Sequence, residues 1–377
     1  MGEKMFQNGP IKIVVLTLIW SFLSNVDATR TDAQPLRFKH VLVEAKKETT
    51  GNFVIWASNP RDDKTWQILV DTFAKKYGLG ELKFERLPLH PRDTVARIVA
   101  ETRAGRSGPD VVFGSHNSLS DIDEAGLLEA YDWVAAFSEE FPTIKEAAVE
   151  RVPVELKGKW VALFDATRSF IFNTQQLKAG QVPDLVDNLS QPQWSRKFIM
   201  SNTGSSPWDL FVLRWGEDRT INAMKKVMSN KPIYKKGTPA VNNAVAAGEA
   251  PVGFGSIHEA ERLKAKGAPV DWKTYGLEAP GDYIPVLPQG LLLTRKSQHK
   301  NLARLFIAWF AMDGIAIAEK LDFSFRVSHE ASPLNKLIKE RAPNAKVLAP
   351  VSRKEFEIHD QFGETASKII AAGLSGG

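Results

Sequence analysis

Short apolar runs alternate with helical stripes through the first third of the chain. Phe53-Val54-Ile55-Trp56-Ala57 reads as a buried strand, and Ser58-Asn59-Pro60 breaks it. The spacing of Trp66, Leu69, Val70 and Phe73 predicts a helix over 62–77, stopped by Gly78. Leu82 to Leu87 predicts a second strand, Thr94 to Ala104 a helix and Asp110 to Phe113 a third strand. Such alternation implies βαβ units around a parallel sheet, in which ligands bind beyond the carboxyl ends of strands. That geometry nominates Trp56, Ser58 and Asn59 after one strand, and Ser115, His116 and Asn117 after another, as residues at the mouth of a cleft.

Further along, Trp160 to Phe164 and Ser169 to Asn173 are two extended apolar runs with a polar insert, Asp165 to Arg168, between them. Lys197 to Met200 predicts a strand that runs into Ser201-Asn202-Thr203-Gly204-Ser205-Ser206, and a helical pattern begins near Pro207. Thr238 to Ala247 reads as a helix, Pro251 to Ser256 as a strand and loop, and Leu291 to Thr294 as a strand. The C-terminal third is mostly helical, closing with a helix near Glu355 to Ala372.

The start of the chain has another character. Lys4 and Lys12 precede the apolar run Ile13 to Trp20, which ends near Val26-Asp27-Ala28; this predicts a cleavable secretory leader over 1–28. Residues 29–50 show no periodicity and are expected to be a mature N-terminal tail. No later stretch reads as long and apolar enough to span a bilayer.

Composition narrows the chemistry. Among 377 residues, 49 Lys and Arg against 44 Asp and Glu leave a net charge of +5 without a long basic run, so nucleic acid is not the expected partner. There is no cysteine, which removes a Cys nucleophile, Cys-based metal ligation and a lipid-modified N-terminal Cys. The chain has no Gly-x-Ser-x-Gly elbow, and Gly158-Lys159 is followed by Trp160 where a Walker A motif needs Ser or Thr. Neither His258-Glu259 nor His329-Glu330 has the second His of a zincin. No catalytic residue, cofactor or metal site is therefore expected.

Two features suit an anionic ligand. The loop containing Ser201, Thr203, Ser205 and Ser206 offers hydroxyls beside a helix start, although capping of that helix by Ser205 or Ser206 accounts for it equally well. Arg168 is placed to pair an anion bidentately, or to form a salt bridge with Asp165. Ser256 can cap the helix that follows it, and Trp56 can be simple core.

The ordered motifs resemble a known family. Gly108-Pro109-Asp110-Val111-Val112-Phe113 with Ala125 to Glu129, the run Trp160 to Asn173, Trp194 to Ser206, Asn230 to Tyr234, and Val245 to Gly253 together resemble type II periplasmic solute-binding proteins of ABC importers. The second half is most similar to the ferric-iron, thiamine and aminoethylphosphonate branch. The resemblance implies an α/β fold of two lobes, mostly parallel sheets with flanking helices, and a hinged interlobe cleft. It implies lobe one over 51–165 with a return over 286–325, lobe two over 166–285, and C-terminal helices of lobe two over 326–377. It further implies a monomer free in the periplasm, without a lipid anchor, that binds a small solute and delivers it to a permease in the inner membrane. Ser256 is implied to face the cleft.

One departure bears on the solute. Ferric binders of this branch use an adjacent Tyr pair, whereas the five tyrosines here, Tyr77, Tyr131, Tyr234, Tyr275 and Tyr283, are all separated. A phosphonate, phosphate ester or carboxylate is the expected ligand. A ferric-iron or other metal binder, and a ligand-binding sensor input protein, remain the alternatives.

Overall fold

The computed structural model describes residues 38–58, 62–89, 91–278, 282–322, 326–327 and 329–375. The leader expected over 1–28 and the candidate Asn59 lie outside the described residues, as do the side chains of His116 and Asn117.

Two sheets organise the molecule. The first contains β1 (Phe53–Trp56), β2 (Phe84–Leu87), β3 (Val111–Ser115) and β4 (Val161–Thr167). The second contains β5 (Ser169–Asn173), β6 (Phe198–Ser201), β7 (Ile233–Lys235), β8 (Val252–Gly255) and β9 (Val270–Lys273), in the order β7-β6-β8-β5-β9. The remaining strands, β10 (Tyr275–Gly276), β11 (Asp282–Leu292) and β12 (Lys346–Leu348), join the first sheet through β11. Parallel ladders run through β2-β1-β3 and β7-β6-β8. Strands that carry the chain from one sheet to the other enter antiparallel: β11 against β3 and β4, and β5 against β8 and β9.

The chain is thus a two-lobed α/β protein, with β4 and β11 paired along the connection. Val286 faces Thr167, Leu287 faces Ala166 and Pro288 faces Asp165 in that register. Asp165, Ala166 and Thr167 are strand residues and not a polar insert. Asp165 is tolerated there because it pairs with Arg151 and accepts the Val327 N–H at 2.7 Å.

Each lobe has its own apolar core. Trp66, Phe73, Phe306, Trp309 and Phe310 meet ring to ring in lobe one. Phe170, Trp208, Phe211, Phe254 and Tyr275 do so in lobe two, and Phe362, Ala366 and Ile370 of the last helix, Arg353–Ser375, complete that core. Burial of such aromatic surface is the main driving force for each lobe.

Two expectations need correction. Part of the presumed N-terminal tail is the helix Phe38–Lys47, whose Val41 and Ala45 are buried in lobe one. Val41 and Ala45 lie one turn apart and form a short stripe, too small for its period to be read against polar neighbours. The helical stretch Lys300–Leu321 is long and apolar enough, by composition alone, to cross a membrane. Its span is 67% buried, because it supplies one wall of the lobe-one core.

Asp110 is the polar hub of lobe one. It is 2% exposed and accepts from Val54 N at 2.8 Å, Ser297 Oγ at 2.8 Å and His299 Nδ1 at 2.9 Å. Burial opposes the charged form of His299, but the Asp110 carboxylate outweighs it and raises the imidazole above its ordinary value of 6.5. Stability from this pair is present in full below that ordinary value and is lost as pH rises through the higher folded value. Asp110→Ala should cost about 3 kcal/mol, since it strands several buried donors. It should also flatten the fall in stability above neutral pH. Urea denaturation from pH 5 to pH 9 measures both, and a variant as stable as wild type would remove Asp110 from this role.

Candidate functional site

Arg168 emerges directly from β4, and its N–H donates to Pro285 O across the crossing at 2.8 Å. Its side chain turns to the loop after β6. Nε donates to Ser206 Oγ at 2.9 Å and Nη1 to Thr167 O at 2.9 Å. Nη2 makes no hydrogen bond among the described residues, and the side chain is half-buried. Burial pushes the guanidinium below its ordinary value, while the nearby Asp209 and Tyr275 act to raise it. Asp165, the partner considered from sequence, is engaged by Arg151 instead.

The loop over 201–206 is built as a tight turn. Ser201 Oγ donates to Thr203 O at 2.8 Å and accepts Thr203 N–H at 3.1 Å. Asn202 and Thr203 are exposed. The helix Trp208–Trp215 starts after Pro207, and neither Ser205 nor Ser206 caps it through its side chain. Ser205 Oγ donates to Asp209 Oδ2 at 2.5 Å, and Ser206 receives Arg168. The side-chain capping considered for this loop is not made; its serines instead tie Arg168 and Asp209 to one segment.

The third element is the end of β8. Ser256 Oγ lies 2.7 Å from His258 Nδ1 and 3.4 Å from Thr167 Oγ1. Asn242, fully buried, holds the Ser256 N–H and C=O at 3.1 and 3.0 Å. Gly255 permits this approach, since a Cβ there would sit 2.6 Å from Asn242 Oδ1. Ser256 is not bonded as a helix cap; its hydroxyl is turned to His258.

The structure thus gathers Thr167, Arg168, Ser205, Ser206, Ser256 and His258 at the lobe-two end of the crossing. Of the lobe-one candidates, Trp56, Ser58 and Ser115 have described side chains. Trp56 is 4% exposed in an apolar cluster, with the Arg97 guanidinium 5.2 Å from its ring centroid. Ser58 is half-buried, and Ser115 is the last residue of β3, opposite Gln289 of β11. His116 and Asn117 fall in the first turn of the helix His116–Glu124, where a loop was expected. A cavity of about 440 Å³ opens elsewhere on lobe one, lined by Tyr131, Trp133, Val149 and Lys157 among others, and contains none of the candidates.

Two residues were not found from sequence: Asp209 and His359, both buried and 3.5 Å apart between Oδ2 and Nε2. An acidic residue in a first helical turn and a His on an apolar helix face carry no distinguishing local pattern.

Two of the five phenols are hydrogen-bonded within lobe two, and all five have raised pKa values. Tyr275 donates to Ser169 O at 2.8 Å and Tyr283 to Glu278 at 2.6 Å. Burial pushes Tyr131 up to about 12 and raises Tyr77, Tyr234 and Tyr275. Tyr283 is raised chiefly by its bond to Glu278.

Residues 56–316 match the model of the family described as bacterial extracellular solute-binding protein. The chain belongs to this family. The solute-binding protein is 25% identical over 300 residues to an uncharacterized protein of Haemophilus influenzae, covering 76% of this chain and 80% of that one. It is 23% identical over 215 residues to a Fe(3+)-binding periplasmic protein of Serratia marcescens, covering 54% of this chain and 60% of the other. Its fold is similar to that of iron-bound HitA from Pseudomonas aeruginosa, with TM-score 0.65, 16% identity and 85% and 99% of the two chains covered. It is also similar to AfuA from Actinobacillus pleuropneumoniae with fructose-6-phosphate bound, with TM-score 0.57, 23% identity and 72% and 82% covered. At these identities the solved structures establish the two-lobed fold of the solute-binding protein and no more.

Proposed function

We propose that this protein is the periplasmic solute-capturing component of an ABC uptake transporter. In this reading it is a non-enzymatic monomer that closes its lobes on a small organic anion and presents the closed form to a membrane permease. The solute carries a phosphate, phosphonate or carboxylate group. The observation that carries this reading is Arg168: a half-buried guanidinium at the crossing, oriented by Ser206, with one terminal nitrogen uncommitted among the described residues. Exposed Asn202 and Thr203 on the same loop supply neutral hydrogen-bonding groups beside it. Guanidinium with hydroxyl and amide donors is the chemistry that binds oxyanions.

The names of some relatives favour ferric iron. A hard Fe(III) ion is best served by phenolate and carboxylate oxygens. In this chain every phenol has a raised pKa, and no tyrosine neighbours Ser256 or Ser206 in sequence. That weighs for the anion.

A thermal-shift panel on ligand-free protein tests the proposal. It should contain fructose 6-phosphate, aminoethylphosphonate, other phosphate esters, dicarboxylates, thiamine, polyamines, sugars and Fe(III). A ligand at a hundredfold its Kd adds about 2.7 kcal/mol, which is readily seen. We expect the shift with a phosphorylated, phosphonate or carboxylate compound. A shift with Fe(III) alone, or with a cation alone, would sink the anion reading.

A further inference from the structure

Behind the serine loop lies a buried charge network that the binding of an anion at Arg168 does not by itself require. Asp209 is 6% exposed and His359, on the last helix, is 3% exposed. Asp209 Oδ2 accepts Ser205 Oγ at 2.5 Å and lies 3.5 Å from His359 Nε2, while Asp209 Oδ1 is buried with no hydrogen-bond partner among the described residues. The other ring nitrogen, His359 Nδ1, is 2.7 Å from Asp360 Oδ1. Ser205 and Ser206 are adjacent, so this acid–base pair and Arg168 grip the same two residues of the loop.

We propose that Asp209 and His359 are positioning residues for anion capture: a protonated His359 neutralises Asp209, which leaves the Arg168 charge free to act on the ligand. This rests on the reading of Arg168 given above and deepens it, since it makes capture proton-linked. The electrostatics follow from counting charges in a poorly solvated space. With His359 protonated, Arg168 and His359 face Asp209 and Asp360, and an entering anion meets a balanced set. With His359 neutral, Asp209 can be compensated only by Arg168, and the field at the ligand falls.

The charged groups around the imidazole come from four elements. Asp209 lies on the helix Trp208–Trp215, Asp360 on the His359 helix itself and Arg168 on the crossing. Asp121, on the lobe-one helix His116–Glu124, acts on Asp360's side of the network, and burial together with Glu124 and Asp360 raises its carboxyl. Burial alone pushes the His359 imidazolium down. The carboxylates of Asp209 and Asp360 outweigh it, against opposition from Arg168, and raise His359 above its ordinary value. The switch therefore operates above that ordinary value, with the charged form favoured below it.

The test uses the full-length protein and fructose 6-phosphate as probe, with Kd measured by calorimetry between about pH 5.5 and pH 8.5. Taking the ratio of wild-type to His359→Gln Kd at each pH removes the ionisation of the probe's own phosphate. Wild type should bind about tenfold tighter than His359→Gln at low pH, and the two should converge at high pH. Adding Asp209→Asn to His359→Gln should restore affinity, because the uncompensated carboxylate is then gone. A purely structural role predicts the opposite, a further loss in the double variant. If either variant fails to fold, wild type alone decides through the heats of binding in two buffers. At about pH 7.5 the phosphate ester is nearly fully ionised, and capture should take up protons. Parallel Kd profiles, a weaker double variant or no proton uptake overturns the inference while leaving anion binding in place. Wild type that binds no anion in the panel at any pH overturns the functional reading and this inference together.

Discussion

Replacing Arg168 with alanine should weaken binding of an anionic ligand by about 30- to 1000-fold, the equivalent of roughly 2–4 kcal/mol. The guanidinium is half-buried, so its charge is screened less than that of a surface side chain. Its loss also leaves Ser206 Oγ without the donor seen at 2.9 Å. Arg168→Lys should fall in between, because it keeps a charge but loses the planar fork and the Nε–H that fixes the side chain. Calorimetric titration with whichever phosphate, phosphonate or carboxylate gives the thermal shift measures the effect. Equal affinity in wild type and Arg168→Ala would place the ligand elsewhere. The far-ultraviolet spectrum should be unchanged, since the side-chain hydrogen bonds of Arg168 go to Ser206 in the loop and to Thr167 at the end of β4.

The largest effect on stability is expected from Gly290→Ala. Gly290 lies in β11 beside the irregularity in its pairing with β4, between Gln289 and Gly290. A Cβ there would fall 2.0 Å from Val161 O and 2.5 Å from Trp160 Nε1. The first is a backbone atom and the second belongs to a fully buried ring, so neither can swing aside. The two crossing strands would have to separate. A loss of about 3 kcal/mol or more is expected, at or beyond the upper end of ordinary overpacking. Gly180→Ala is the control: nothing lies within 4 Å of its Cβ, and a change within about 0.5 kcal/mol is expected. Urea midpoints for both variants decide the matter; a Gly290→Ala midpoint matching wild type would mean the crossing yields more easily than its packing suggests. If that variant folds, its ligand affinity should also drop, since Arg168 hangs from the same pair of strands through Pro285 O.

Elements with a strong period were legible from residues alone. The helix Asp63–Tyr77 lies within one residue of its expected bounds, and β1, β3, β5, β6 and β8 fall on the apolar runs that predicted them. Two of the stretches that escaped share a cause. In β11 only the end, Leu291 and Leu292, lies in a run that predicted a strand, while Pro285 and Pro288 argue against one when read locally; β12 (Lys346–Leu348) is largely exposed. Both exist because neighbours supply their hydrogen bonds, and a neighbour's position is not written in the segment itself. The same applies to Asp165, whose charge looked like a loop until Arg151 and Val327 were seen to receive it.

At the candidate site, the chemistry-bearing residue types could be read from the sequence, but their pairings could not. Arg168, Ser205 and Ser206 stood out because a charge or a hydroxyl cluster interrupts an apolar pattern. Asp209 and His359 did not, because each sits in a helix whose other residues explain the helix. By itself the sequence determined the α/β alternation, the family motifs and the absence of thiol chemistry, since these depend on local spacing and on residue identity. Only the tertiary structure decided that Arg168 is held by Ser206 and not by Asp165. It alone set Asp209 against His359 from the far end of the chain. Such pairings depend on which buried charges come within a few ångströms after two sheets and a C-terminal helix have packed, and packing is a property of the whole chain.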